Sequence, residues 1–266
     1  MDKITCVIDT CSFIYMQIPT LTESSRDKRK PDSKEKTLFD LFVESNSATI
    51  KVTKEIIDEM KDPKKKGITK YNSEYATFFN KVKYKFKKGR IASFHEGIFN
   101  KNLYTYNEYG DLKTDDLGEK INLAATIDLF LDDGKRNLVF LSDDLKAQRK
   151  TDIISDISSA FRMCLYWDTF DVIFYLYLIN KRAKAPMITS SQAESFITDI
   201  FSHKSNQAFD IMNNDFDNQV RNPANNSQNT NSKIERNRKE AKTKLSNTFN
   251  SQKAEVLKRF EILKKI

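Results

Sequence analysis

Glycine and proline are scarce in this chain of 266 residues, with six glycines and five prolines. That composition excludes collagen-like proteins and glycine-rich disordered proteins. No GxGxxG or GxxxxGK[ST] pattern occurs in the sequence, and these are the spacings at which backbone amides close around a phosphate. A glycine-rich nucleotide-binding loop is therefore not expected.

Cysteine and histidine are also rare, with three cysteines and two histidines. Cys6, Cys11 and Cys164 are odd in number and too few for a disulfide framework, which predicts a reducing compartment. No CxxC pair occurs, and the histidines, His95 and His203, lie far apart in the sequence. A structural zinc site, which usually needs Cys or His at short spacing, is therefore not expected.

Long hydrophobic runs are lacking as well. The amino-terminal stretch MDKITCVIDT has no basic region followed by an apolar one, so a secretory signal peptide is not expected. The most apolar run, 163–179, contains Asp168 and Asp171, and two carboxylates make it a poor membrane span. We therefore predict a cytoplasmic protein that does not bind a membrane.

Positive charge is unevenly distributed along the chain. The formal net charge is +8, and residues 233–266 hold 11 Lys and Arg and four Glu, a net of +7. Just before them, 213–232 contains eight asparagines in 20 residues, a composition typical of disorder. The predicted organisation is a domain at 1–204, a flexible Asn-rich linker at 205–232 and a basic tail at 233–266.

The basic tail is predicted to form an amphipathic helix. Its apolar residues recur at spacings of four, seven, four and three residues, which places most of them on one helical face. They are Leu245, Phe249, Val256, Phe260 and Leu263. Such a helix can pack on the body or on itself, or its basic face can contact nucleic-acid phosphates; the pattern is compatible with either.

Strand-like and helical patterns alternate along the body of the chain. Strands are expected at Ile4–Ile8, 48–52, 137–141 and 163–167, with a weaker candidate at 90–94. Helices are expected at 11–17, 37–44, 54–61, 73–87, 118–131, 145–160, 169–180 and 190–201. This alternation predicts crossover connections, a parallel sheet and an α/β fold.

Acidic residues follow two of the predicted strands. Asp9 follows the first strand, and Ser142, Asp143 and Asp144 follow the strand NLVFL. Ligands of an open parallel sheet bind beyond the carboxyl ends of its strands, so neighbouring strands would bring these carboxylates to one edge. Like charges at that distance need a cation to neutralise them. Oxygen ligands without His or Cys suit Mg²⁺ or Mn²⁺.

Two further acids can join this group. Glu119 lies in the first turn of the helix predicted at 118–131, and Glu59 lies on the helix that follows the second strand. Each acid by itself also suits a structural role, as a turn former, a helix cap or a solvated charge. Their combination in this order along the chain is what favours a metal site.

The motifs that carry these acids resemble those of a PIN domain, a family of metal-dependent nucleases that includes bacterial toxin ribonucleases. VIDTCSFI contains Asp9, and VTKEIIDEM contains Glu59. LGEKINLAATIDL contains Glu119, and VFLSDDLKAQR contains Asp143 and Asp144. The resemblance covers about residues 1–200.

The resemblance implies a PIN-like three-layer fold around a central parallel sheet and hydrolysis of phosphodiester bonds with Mg²⁺ or Mn²⁺. The metal ligands it implies are Asp9, Glu119, and Asp143 or Asp144. Glu59 would bind a metal through water or position the attacking water. Ser142 would contact a phosphate oxygen or orient a carboxylate. The family commonly has Asn or Ser at the position of Cys11.

Substrate contacts are expected at Arg149 and Lys150, one to two helical turns after the acidic strand end, although a solvated helix face explains them equally well. By family analogy the substrate is RNA, single-stranded or structured, which makes the protein an endoribonuclease. A DNA nuclease is an alternative, because the site chemistry does not detect a ribose 2′-OH. A catalytically weak PIN-like module for RNA binding or assembly is another.

The biological setting stays open at this stage. A toxin–antitoxin pair, antiviral defence and RNA processing all suit a nuclease of this kind. The partners expected are nucleic acid, an antitoxin or other partner protein, and a second copy of the chain in a homodimer.

Overall fold

A computed structural model of the chain describes residues 3–17, 36–61, 73–84, 125–126, 128–129, 137–143, 164–181, 187–221 and 228–265. The described residues divide into two compact units, of which the first ends at Val172 and the second begins at Ile173. The boundary lies within a helix, whereas the sequence places the end of the body at 204.

Four short strands form one parallel sheet in the first unit. They are β1 (Ile4–Ile8), β2 (Ala48–Lys51), β3 (Leu138–Leu141) and β4 (Cys164–Trp167). Their order across the sheet is β2–β1–β3–β4. The predicted parallel sheet and α/β class are therefore confirmed, and because the strands run in the same direction their carboxyl ends meet at one edge.

The two central strands are buried apart from Ile4 at the start of β1, as expected for a parallel sheet covered on both faces. Cys6, Val7 and Ile8 of β1 are fully buried, and all four residues of β3 are buried. Strand β2, at one edge, alternates between buried and half-buried residues. At the other edge, Leu165 of β4 is exposed.

Five helices with described bounds begin in the first unit. They are α1 (Thr10–Met16), α2 (Leu38–Glu44), α3 (Lys54–Lys61), α4 (Ser73–Val82) and α5 (Thr169–Lys181). Helix α4 ends earlier than the predicted 73–87, because Lys83 forms a parallel bridge with Val52 and the Tyr84 N–H donates to the Val52 carbonyl at 2.8 Å. The strand candidate at 90–94 and the helix at 145–160 lie outside the described residues.

An aromatic cluster packs α1 against α2 and α4. Phe13 of α1 makes edge-to-face contacts with Phe39 at 5.0 Å and with Phe79 at 4.9 Å between ring centroids, and all three rings are buried. Contacts of this geometry each contribute about 0.5–1.5 kcal/mol beyond the area they bury. The cluster fixes α1, and with it Asp9, which immediately precedes the first residue of the helix.

Two long helices make up most of the second unit, α6 (Ser190–Arg221) and α7 (Gln228–Lys265). They pack antiparallel, because Arg238 near the start of α7 binds Asp217 near the end of α6, and Lys264 near the end of α7 binds Glu194 near the start of α6. No described helix is long and apolar enough to cross a membrane.

The structure differs from the flexible linker predicted at 205–232. Helix α6 continues to Arg221 and α7 begins at Gln228, so most of that segment is helical. The reason is that Phe209, Met212 and Phe216 continue the helical spacing beyond 204 and are half-buried. Packing of these apolar side chains stabilises the helix despite the many asparagines between them. The prediction of a flexible linker relied on the asparagine content of the segment.

Candidate active site

The carboxyl ends of β1 and β3 bring two acids to one edge of the sheet. Ile8 pairs with Leu141 at the ends of the two strands, and the Asp9 N–H donates to the Leu141 carbonyl at 2.9 Å. Ser142 and Asp143 follow β3 directly. The edge predicted from the sequence therefore contains Asp9 and Asp143, each of them buried.

The Asp9 carboxylate accepts three hydrogen bonds. Its Oδ1 accepts from the Thr10 N–H at 2.8 Å, so Asp9 caps the amino terminus of α1. Its Oδ2 accepts from the Ser142 hydroxyl and from the Cys11 thiol, each at 2.9 Å. Asp9 is thus held by its own helix and by the end of the neighbouring strand.

Two other elements hold one oxygen, Oδ2, of the Asp143 carboxylate, among further contacts of this residue. Its Oδ2 accepts from the Ser12 hydroxyl of α1 at 2.6 Å and from the Thr169 N–H at 3.1 Å. The Thr169 hydroxyl also donates to it. Because Thr169 is the first residue of α5, Asp143 places a negative charge at the positive end of that helix.

Cys11 connects the two acids. Its thiol donates to Asp9, and its sulfur accepts from the Asp143 N–H at 3.3 Å. Burial raises the pKa of the Cys11 thiol well above its usual range, and the negative charges of Asp9 and Asp143 raise it further. The thiol therefore stays protonated at neutral pH and acts as a donor.

Glu59 lies near this edge and is joined to it through α1. The Thr10 hydroxyl donates to Glu59 Oε2 at 2.9 Å, which links α3 to the residue next to Asp9. The charge on Glu59 helps to raise the pKa of Asp9. Of the acids predicted from the sequence, Asp9, Glu59 and Asp143 therefore belong to one connected group.

Burial is the main influence on the ionisation of Asp9. It raises the pKa of that carboxyl above its usual range, while the hydrogen bonds from Cys11, Ser142 and Thr10 oppose the rise. A buried carboxylate is costly to ionise without a compensating positive charge. A divalent cation at this edge would supply such a charge and would favour the ionised form.

Thr169 and Tyr166 also belong to this site, although the sequence did not indicate them. Ser12 belongs to it as well; the sequence suggested it as a support for Asp9, but it donates to Asp143. Ser12 and Thr169 hold Asp143, and the Tyr166 hydroxyl donates to the Ser142 carbonyl at 2.6 Å, fixing the backbone beside Asp9. Burial raises the pKa of Tyr166, which therefore stays a donor. A signal was available, because Asp168-Thr169 follows β4 much as Asp9-Thr10 follows β1.

Asp168 is used differently from the other strand-end acids. Its Oδ1 accepts from the Asp171 N–H at 3.0 Å, and its own N–H donates to Asp171 Oδ2 at 3.1 Å. This reciprocal pair is a capping arrangement for the start of α5. Asp168 is thus an example of a strand-end acid in a structural role.

The other predicted site residues, Glu119, Asp144, Arg149 and Lys150, lie outside the described residues. Within the described ranges, no three acidic, imidazole or thiol side chains come close enough together to hold a metal ion. The acids that are described nevertheless suit a hard cation, because Asp9 and Asp143 are buried oxygen donors at one edge. No protein-family model, curated protein or solved structure matches the chain, so the chemistry of this edge rests on its own geometry.

Proposed function

We propose that the first unit is a PIN-like metal-dependent nuclease whose reaction takes place at the carboxyl edge of the sheet. One observation carries the proposal: Asp9 and Asp143 are held reciprocally. Ser142, next to Asp143, donates to Asp9, and Ser12, on the helix that Asp9 caps, donates to Asp143. Two buried acids are thereby fixed at the same edge of the sheet, where a cation would neutralise their like charges.

Asp9 and Asp143 would hold Mg²⁺ or Mn²⁺ at this edge, together with the other acids implied by the resemblance, Glu119 and Asp144. When bound, such an ion supplies positive charge that polarises a phosphodiester and its attacking water. Ser142 and Cys11 would keep Asp9 oriented, since both donate to its Oδ2. Ser12 and Thr169 would do the same for Asp143.

Glu59 is the residue that would take the proton of the attacking water. Its carboxylate is oriented by the hydroxyl of Thr10, the residue that follows Asp9. The water oxygen would form the new bond to phosphorus as the bond to the leaving oxygen breaks. RNA is the proposed substrate, and its choice over DNA comes from the family resemblance.

A second function is favoured by the contacts of Asp143. Its Oδ2 accepts the Thr169 N–H at the start of α5 as well as two hydroxyl groups, which is a complete structural role for a buried acid. A PIN-like module that binds RNA or supports assembly without cutting would need no more from this carboxylate. The nuclease would require a metal ion for its activity, whereas the binding module would not.

A cleavage assay separates them. Single-stranded RNA and DNA of the same sequence would be incubated with Mn²⁺, Mg²⁺ or chelator. Wild type would be compared with Asp9→Asn, Asp143→Asn and Glu59→Gln. The matched control is Asp58→Asn, which removes an exposed acid next to Glu59 on α3 that pairs only loosely with Lys54, at 3.9 Å.

We expect metal-dependent cleavage of RNA by wild type and by Asp58→Asn, and a loss of about a hundredfold or more in the two ligand variants. Cleavage that persists in chelator, or that survives both Asp9→Asn and Asp143→Asn, would contradict the nuclease proposal. Binding of RNA without cutting in any metal would favour the second function.

A further inference from the structure

We propose that the outward face of α7 binds the phosphate backbone of a nucleic acid. This inference goes beyond the proposed catalytic function, because it concerns the second unit and does not require the first unit to cleave. It begins from a contrast between two sets of cations on one helix. One set faces α6 and is paired with acids, and the other faces away from it.

The inward cations of α7 have structural partners. Arg238 binds Asp217 of α6 at 2.9 Å and also donates to Asn213. Lys264 binds Glu194 of α6 at 2.7 Å. Both cations are more than two-thirds buried at the side chain, with 28% and 24% exposed. They hold the two helices together and are not available to a partner.

The outward cations are placed differently. Lys233, Lys239 and Lys244 are exposed, and among the described residues no carboxylate lies within ion-pair distance of any of the three. Arg236 lies among them and pairs with the exposed Glu240 on its own helix at 3.0 Å. These four basic residues span 12 positions of α7, about 16 Å of helix at 1.5 Å per residue.

A shallow groove follows the same face of the helix. The described residues that line it are all of polar or charged type; they include three of these cations, the acid Glu240 that pairs with Arg236, and several neutral donors. The residues that matter here are Arg236, Lys239, Lys244, Asn247, Thr248 and Ser251. Basic side chains mixed with hydroxyl and amide groups are the usual contacts to phosphate and sugar in nucleic-acid complexes.

The other anionic partners fit this face less well. An amphipathic helix binds an anionic membrane by inserting its apolar face, but the apolar residues Ile234, Val256 and Phe260 of α7 are buried within the protein. A protein interface is usually centred on aromatic or aliphatic anchors, and neither kind occurs among the described residues that line the groove. A regular line of phosphates needs only the cations and donors that are present.

Binding can be measured apart from cleavage by working in EDTA. The full chain would be titrated into a fluorescently labelled 30-nucleotide single-stranded RNA, with the anisotropy followed at several salt concentrations. The test variant is Lys233→Gln/Lys239→Gln/Lys244→Gln. The charge-matched control is Lys54→Gln/Lys61→Gln/Lys81→Gln, three exposed lysines of the first unit. A third variant replaces the three α7 lysines by arginine.

We expect the α7 glutamine variant to bind at least about tenfold more weakly near 0.1 M salt. The slope of log K against log salt should fall by about two, because each phosphate contact with a single strand contributes about 0.7. The arginine variant should bind like wild type, since it keeps the charge. Helix content measured by circular dichroism shows whether all variants are folded.

Unchanged affinity in the α7 glutamine variant would overturn the inference. An equal loss of affinity in the lysine variant of the first unit would also overturn it, because the loss would then reflect net charge alone. Tighter binding to phosphatidylserine vesicles than to RNA would overturn it in favour of a membrane. Wild type that binds RNA through these lysines but never cuts would leave this inference standing and would defeat the proposed catalytic function.

Discussion

At the residue scale, Cys11 links the two acids at the edge of the sheet. Its thiol donates to the Asp9 carboxylate and its sulfur accepts from the Asp143 N–H, so Cys11 helps to fix the positions of both residues. Its thiol remains protonated, because burial and the neighbouring carboxylates raise its pKa. The hydroxyl group of a serine can make the same contacts.

Substitutions of Cys11 test its positioning role. We expect Cys11→Ser to keep the metal-dependent cleavage, and Cys11→Ala to lower it about 10- to 100-fold, as the loss of a group that orients a metal ligand typically does. The Mn²⁺ concentration required for half-maximal activity should rise in the alanine variant only. An alanine variant with wild-type metal dependence would show that Asp9 needs no support from Cys11.

Asp199 on α6 gives a prediction about pH. Burial raises the pKa of its carboxyl above the usual 3.8, and the hydrogen bond from Ser195 and the charge of Lys253 oppose this. A raised pKa means that the folded state binds the proton more tightly than the unfolded state does. The contribution of Asp199 to stability is therefore greatest at low pH and decreases as the pH rises above about 3.8.

The corresponding variant is Asp199→Asn, which stays neutral at every pH. At pH 7 we expect it to unfold at a higher urea concentration than wild type, with a gain of less than about 1 kcal/mol because the group is only partly buried. The advantage should shrink as the pH is lowered toward 3.8. A gain that is the same at both pH values would mean that burial of the charge is not the cause.

At the scale of elements, the end of α7 is anchored by aromatic packing. Phe260 is fully buried, stacks on Phe174 with ring centroids 5.9 Å apart, and contacts Tyr177 edge to face at 4.9 Å. Arg259 lies over the ring of Phe174 at 5.2 Å. These contacts connect the second half of α5 to α7 within the second unit.

Phe260→Ala should therefore destabilise the second unit by about 3–5 kcal/mol, the usual cost of removing a buried aromatic ring. Ile262→Ala is the control, because Ile262 lies two residues away on the same helix and is 54% exposed. Its cost should stay within about 0.5 kcal/mol. Equal effects of the two substitutions in chemical denaturation would contradict the packing described here.

Elements differed in how well the sequence predicted them. Strands β1 and β3 were evident because β1 is rich in β-branched residues and β3 has four consecutive apolar residues, both of which suit a buried strand. Helix α6 was cut short at 201 because its later turns carry few apolar residues among many asparagines. Those turns pack against α7. Their helical structure therefore depends on contacts with a helix that is distant in the sequence.

At the scale of the whole molecule, the acids of the sheet edge and the outward cations of α7 belong to different units. Asp9 and Asp143 lie in the first unit, and the outward lysines lie on α7 in the second. Both proposals together predict that the two functions separate by mutation. Asp9→Asn should abolish cleavage but keep the salt dependence of RNA binding, since it removes no cation.

The lysine variant should show the opposite pattern. Lys233→Gln/Lys239→Gln/Lys244→Gln should raise KM for RNA about tenfold or more and lower kcat much less, because the acids that act on the phosphodiester are untouched. Steady-state cleavage kinetics at two salt concentrations would measure this. A variant that loses kcat without a change in KM would place the α7 lysines in the chemical step instead.

The sequence by itself determined the local features of this protein. The apolar runs defined the strands, the alternation of patterns defined the parallel sheet, and the strand-end positions of Asp9 and Asp143 identified the edge. Each follows from interactions between residues close in the chain, whose spacing is visible in the sequence. The concentration of positive charge in the tail is equally local.

Only the tertiary structure decided which of these residues and helices contact one another. The adjacency of β1 and β3 puts Ser142 against Asp9 and Ser12 against Asp143, across 133 and 131 residues of chain. The packing of α6 on α7 separates the cations that bind acids of α6 from those that face outward. Both outcomes depend on contacts between residues far apart in the sequence, and the spacing of residues within a segment carries no information about such partners.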